Sequence, residues 1–408
     1  MEKEKLIIRN FGPIKEVDLD LGRFTILIGE QATGKSTVAK VLAVCRYFSY
    51  IVKGANTFND FIEGPFYVGL TAWGLDKFVN SQSYMFYKNK HYSVTVEALQ
   101  IELTSSNVNE FDDNYNPIIN EEIIEETVYP PELIPFSDEF RDLLLELNKL
   151  MKDGSLIVPT SFFLNDVKRV LDNPFYLPTQ RGLQSIFDIG QNSIKNLSSA
   201  LFNQLSKMDG IARLYKQETY IEPLDIYYIN RNGHGFIRKA NETEFYSLYN
   251  AASGYQSMIP IVLAIKYYTE LKKKTKTFLI EEPELDVFPA AQNKLIQYIS
   301  EQSKTFDSMV LMTTHSPYTL TSVNNLMYAY QVGQKHPEKV SQEIDKKYWL
   351  NSDEVSAYML KSDGSYEDIF DREEGLINAE KIDTVSKAIN KKFNNIMDIE
   401  LGVDEESK

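Results

Sequence analysis

The apolar and polar positions of residues 1–53 read as three strands, a glycine-bearing loop and a helix. "LIIRNFGPI" and "EVDLDL" are short, and the second alternates, as a half-buried strand does. "FTILIG" is a continuous apolar run, the pattern of a strand covered on both faces. From Ser36, "STVAKVLAVCRYFSYIV" puts apolar residues on most faces and predicts a buried helix. Between about 54 and 175 the character changes. "YMFYKNKHYSVTVEALQIEL" predicts a β-hairpin or meander. "NEFDDNYNPIINEEIIEETVYPPELIP" is acidic and loop-rich, and "SDEFRDLLLELNKLMKDG" is a helix capped by Ser137 and stopped by Gly154.

"FYLPTQR" returns to an apolar strand, and residues 186–216 read as helical. "LDIYYINRNGHGFIRKA" predicts a hairpin turning at Asn232-Gly233, a pair suited to left-handed backbone. After "AASGYQS" come a long helix to about Lys274, a strand "TFLIEE", a helix from Pro289 and a strand "SMVLMTTH". That alternation implies a parallel sheet. No internal repeat is visible. The expected organisation is an α/β protein with a mixed-sheet core assembled from 1–53 and 176–330. An insertion at 54–175 carries an antiparallel β lobe and a helix, and 331–408 form a helical tail. Within the tail, "AEKIDTVSKAINKKFNNIM" has the spacing of an amphipathic helix.

At 408 residues and 43% hydrophobic, the chain can bury a large core. Its one cysteine, Cys45, allows no internal disulfide and suits a reducing cytosol. "MEKEKLIIRN" lacks an apolar signal region, and the longest apolar stretch, "MIPIVLAI", is too short to span a bilayer. The expectation is a cytoplasmic protein with no membrane partner. The net charge of −15 argues against a surface given over to polyanions, although a local basic groove remains compatible with it. Between Lys90 and Arg141 there is no Lys or Arg, while Glu110, Asp112, Asp113, Glu121, Glu122, Glu125 and Glu126 accumulate. Nucleic acid would avoid that stretch. It reads either as a solvated acidic lobe or as a docking surface for a basic partner.

"GEQATGKS" has the G-x-x-x-x-G-K-S spacing of a phosphate loop, between an apolar strand and a helix. The candidate nucleotide contacts are Gly29, Glu30, Gln31, Ala32, Thr33, Gly34, Lys35, Ser36 and Thr37. Glycines let N–H groups turn towards a phosphate, the helix start adds positive potential, and Lys35 reaches the β- and γ-phosphates. The Ser36 hydroxyl is a candidate Mg²⁺ ligand. "TFLIEEPELD" delivers Glu281 and Glu282 to the end of an apolar strand. Glu281 is expected to help hold Mg²⁺, directly or through water, and Glu282 to polarise an attacking water. "MVLMTTHSP" should lie beside that strand and bring His315 to the γ-phosphate. Gln180, at the end of "YLPTQ", is a further candidate for sensing Mg²⁺ and water.

"FGPIK", "GEQATGKS", "ASGYQS", "LIEEPELDVFP" and "TTHSPY" stand in a fixed order along the chain. Together they resemble the ABC-type ATPases of the RecF, SMC and OLD group, over roughly 1–45 and 175–330. The resemblance implies a P-loop ABC-type ATPase head that uses ATP and Mg²⁺, with Glu282 and His315 catalytic. It also implies a signature turn, Ser253, Gly254 and Gln256, that completes the nucleotide site of a second copy, with Asp286 near the seam. The chain would then form a homodimer or higher homo-oligomer glued by ATP. It departs from many relatives in carrying Glu281 where Asp is usual, and in lacking long coiled coils. It further resembles stand-alone ATPase subunits of bacterial anti-phage systems, which act on a separate effector, a nuclease or a toxin. Two alternatives stay open: a RecF-like DNA maintenance ATPase, and an OLD-type metal-dependent nuclease using Glu367, Asp368 and Asp371 of the tail.

Overall fold

The computed structural model describes residues 4–52, 69–89, 92–97, 100–105, 174–179 and 198–378. Its centre is a six-stranded sheet in the order β15-β14-β3-β13-β12-β7. These strands are β3 (Phe24–Gly29), β7 (Phe175–Leu177), β12 (Thr277–Glu281), β13 (Met309–Thr314), β14 (Val355–Leu360) and β15 (Tyr366–Asp368). All pair in parallel except β15, which runs antiparallel to β14. Parallel strands need both faces covered, and the side chains divide accordingly. Phe24, Ile26, Ile28, Phe278, Ile280, Val310 and Met312 enter one apolar core. Leu27, Leu279, Leu311 and Tyr176 enter the other.

The first core is closed by helices α2 (Ser199–Leu214), α3 (Ser253–Lys266), α4 (Pro289–Thr305) and α5 (Pro317–Gly333). In α3 every residue from Ser257 to Ile265 is buried, so that stretch has no solvent face to keep polar. The second core is closed by α1 (Lys35–Val52) and by a five-stranded antiparallel sheet. That sheet has the order β2-β1-β4-β5-β6, from β1 (Glu4–Phe11), β2 (Ile14–Leu21), β4 (Tyr84–Lys88), β5 (Tyr92–Glu97) and β6 (Gln100–Ser105). The expected hairpin forms from β9 (Ile226–Arg231) and β10 (His234–Lys239), with Asn232 and Gly233 at φ 53° and 88°, and is flanked by β8 (Thr219–Ile221) and β11 (Tyr246–Ser247). Among the described residues no helix is long and apolar enough to cross a membrane.

Two expectations about organisation are corrected. The meander at 84–105 is not a side lobe: β4 pairs with β1 from Lys5↔Lys88 to Arg9↔Tyr84, so the strands continue the N-terminal sheet. Met85, Tyr87, Val94 and Val96 are buried, and this apolar face needs the same cover as Leu6 and Ile8. The acidic run and the helix expected at 137–154 lie outside the described residues, as does the amphipathic segment from Ala379. The tail is not simply helical either. After α5 and a short α6 (Pro337–Glu343), β14 enters the main sheet beside β3. "VSAYML" is a short apolar run, and only its pairing partner distinguishes strand from helix there.

This late strand bears on the phosphate loop. A Cβ placed on Gly29 would collide with the Leu360 carbonyl oxygen, so β14 closes directly on the loop. Beyond it, the Gly364 carbonyl accepts from Lys15 N–H (2.8 Å) and Glu16 N–H (3.2 Å), clasping the β1–β2 turn. Gly34 packs against that same turn, where a Cβ would meet Ile14 at 3.0 Å and Pro13 at 3.2 Å.

Candidate active site

Residues 30–34 form an irregular loop between β3 and α1. Ala32 and Gly34 take left-handed backbone, φ 62° and 95°. For alanine this costs about 1–2 kcal/mol, which the surrounding loop must hold. The Thr33 hydroxyl helps by donating to the Glu30 carbonyl (2.9 Å). Lys35 is 5% exposed, and its ammonium donates to the carbonyls of Gly29 (2.8 Å) and Glu30 (2.7 Å). Burial pushes its pKa down to about 8, against the pull of the Glu282, Glu284 and Glu281 carboxylates. Ser36 is exposed at the start of α1, whereas Thr33 and Thr37 are buried.

The two glutamates at the end of β12 diverge. Glu281 is still in the strand and points to the same side as Leu279 and Tyr176. It is 4% exposed, and accepts hydrogen bonds from the Tyr176 hydroxyl and from Thr179 N–H (3.3 Å). Glu282 leaves the strand with φ 42°, its N–H donating to the Thr313 carbonyl (2.9 Å). The change of backbone sends its carboxylate to the neighbouring strand end, where His315 Nε2 lies 2.9 Å from its Oε1. Parallel pairing of β12 with β13, in the register Glu281↔Thr313, brings this pair together.

The turn Ser253–Gln256 opens α3, with Ser253 exposed. No side chain caps this helix start, and the N–H groups of such an end suit an anion. A Cβ on Gly254 would lie 3.0 Å from the Asp286 carbonyl oxygen, so the turn packs on the loop that follows Glu282. Gln256 lies in the first turn of this helix. Its amide donates to the carbonyls of Tyr249 (3.0 Å) and Ala251 (2.9 Å), which holds the approach to the helix. Gln180 lies outside the described residues. Sequence reading missed Tyr176, since its pairing with Leu279 joins segments far apart in the chain.

A glycine-bearing loop between strand and helix, a carboxylate–histidine pair at adjoining strand ends and an uncapped helix start point together to the P-loop ATPase class. The sequence model of the AAA ATPase domain family matches residues 74–320, more than half of the chain, which therefore belongs to that family. The matched span begins after the phosphate loop. No curated protein matches. Among solved structures, the chain is similar to the SMC head domain from Thermotoga maritima, at 10% identity over 79% of this chain and 92% of that one, TM-score 0.37. It is also similar to the Smc head domain with an extended coiled coil, derived from Pyrococcus furiosus and bound to the C-terminal domain of ScpA. There the identity is 12% over 95% of this chain and 98% of that one, TM-score 0.38.

Proposed function

We propose that this chain binds ATP on the loop Gly29–Thr37, hydrolyses it to ADP and phosphate, and uses the cycle to pair and release two copies of itself. The 2.9 Å contact between Glu282 Oε1 and His315 Nε2 carries the reading. A carboxylate beside an imidazole and within electrostatic reach of Lys35 supports it. Glu282 takes the proton of the attacking water, whose oxygen bonds to the γ-phosphorus as the bond to the β–γ bridging oxygen breaks. Lys35 balances negative charge on the β- and γ-oxygens. His315 keeps the Glu282 carboxylate in place and meets the γ-phosphate with its ring.

The residues fit a magnesium ion of the kind that keeps most of its waters. The exposed Ser36 hydroxyl would hold it directly. The Glu281 carboxylate, already bonded to Tyr176 and Thr179, would do so through water. The ion would supply charge neutralisation on the phosphates.

Lysine must be charged to hold a phosphate. With Lys35 near pKa 8 in the free protein, nucleotide binding above that pH takes up a proton. Affinity should fall by up to about tenfold per pH unit above 8. Calorimetry at pH 9 in buffers of differing ionisation heat reads the uptake directly, and a proton-neutral binding event would contradict it.

The exposed, uncapped start of α3 supports completion of the site by a second copy. Ser253→Arg should therefore block ATP-driven pairing while each head still binds ATP. Crosslinks reporting on head contact test this, and normal pairing by the variant would refute it. The switch is proposed to control a separate effector, a nuclease or toxin, in the bacterial cytoplasm as part of anti-phage defence. Co-purification from the native host identifies that effector. The nuclease alternative is disfavoured because the tail acids are engaged in local contacts. Asp368 accepts from Phe370 N–H and Arg372, Asp371 from the N–H groups of Glu373 and Glu374, and Glu367 pairs with Lys361.

A further inference from the structure

Glu284 lies two residues after Glu282 in the same loop, and the mechanism above does not use it. Its Oε1 accepts two hydrogen bonds of 2.7 Å, one from the Thr314 hydroxyl and one from the backbone N–H of His315. Its Oε2 is buried, with no hydrogen-bond partner among the described residues. This arrangement excludes Glu284 as the base that activates water, because one oxygen is already taken by two donors and the other does not reach solvent. A buried acceptor left without a donor is destabilising, so the bonds made by the first oxygen carry the carboxylate's presence.

Those bonds belong to a longer chain. Thr314 Oγ1 also accepts from Ser316 N–H (2.9 Å), the Ser316 hydroxyl donates to Gln292 Oε1 (2.9 Å), and Gln292 Nε2 donates to the Val287 carbonyl (2.7 Å). The network starts at Glu284 and returns to the same loop at Val287. Between these anchors it holds Thr314, His315 and Ser316, the three residues that carry the imidazole. The imidazole in turn contacts Glu282.

We propose that Glu284 is a positioning residue, which holds the main-chain N–H of His315 and thereby sets the contact between His315 and Glu282. The proposal rests on the reading of Glu282 as the carboxylate that polarises water. Hydrogen bonds to an ionised acceptor are short and directional, and a shift of about 1 Å in a catalytic group is enough to cost up to about 10²-fold in rate.

Steady-state ATP hydrolysis tests it on the full chain. Glu284→Ala should lower kcat by about 10–100-fold and leave the KM for ATP within about threefold. Glu284→Gln, which keeps an oxygen for the two donors, should recover most of the loss. In a Glu282→Gln background, Glu284→Ala should add little, because it acts through the missing carboxylate. Thr314→Val removes one of the two donors, should give an intermediate kcat, and serves if Glu284→Ala does not fold. Native kcat in Glu284→Ala or Thr314→Val overturns the proposal. So does a loss that glutamine fails to rescue and that comes with a raised KM and a lowered Tm, the mark of a merely structural role. Additive losses with Glu282→Gln overturn it as well. A native rate in Glu282→Gln alone defeats the reading of the site itself. A slow Glu282→Gln beside a native Glu284→Ala defeats only the positioning role.

Discussion

Glu282→Gln should slow ATP hydrolysis by roughly 10²–10⁴-fold, the usual size of a lost general base, while ATP affinity stays within a few-fold. Glutamine has almost the same shape and keeps an oxygen where Glu282 Oε1 stands, 2.9 Å from His315 Nε2, but it is a far poorer base. The lost interaction belongs to the transition state rather than to ground-state binding, so kcat falls and KM does not rise. If hydrolysis opens the paired heads, the paired state should also persist in this variant. Glu281→Gln should differ, because the Glu281 carboxylate is buried against Tyr176 and Thr179. Its expected signature is a raised Mg²⁺ requirement and weaker nucleotide binding. Turnover assays combined with nucleotide titrations on both variants separate the two roles. Native turnover by Glu282→Gln would show that another group polarises the water.

Lys35→Ala should lower ATP affinity by about 10²–10³-fold, as expected when one partner of a buried charge contact is removed. The fold should survive. In the free protein the Lys35 ammonium is held by two loop carbonyls and buried enough to push its pKa down to about 8. Because the folded-state pKa lies below the usual lysine value, the charged side chain opposes folding below about pH 8. Alanine removes that opposition, so the nucleotide-free variant should melt at pH 7 no lower than the native protein. Thermal melts with and without ATP distinguish the outcomes: the native protein gains stability with ATP, and the variant does not. ATP stabilisation of the variant equal to that of the native chain would refute the phosphate-loop assignment.

Local patterns were enough for much of this architecture. Continuous apolar runs announced β3, β12 and β13, and Asn232-Gly233 announced the β9–β10 hairpin, because backbone conformation there is set by neighbours in sequence. Period failed where two segments far apart complete one surface. The run "VSAYML" is too short to show a period, and the meander at 84–105 looked independent until pairing with β1 joined it to the N-terminal sheet.

By itself, the sequence singled out the residues of the candidate site. Glycine, lysine and serine spacing pointed to the candidate phosphate loop, and an apolar strand ending in Glu281 and Glu282 to the acidic edge, since each depends on consecutive residues alone. Tertiary structure decided how those residues differ. The left-handed φ of 42° at Glu282 and the pairing of β12 with β13 send one glutamate to His315. The pairing of β12 with β7 leaves the other against Tyr176. It also placed β14 behind Gly29, tying the loop to a strand more than three hundred residues later. Hydrogen-bond partners and burial are properties of neighbours in space, and linear spacing carries no record of which strand will lie beside which.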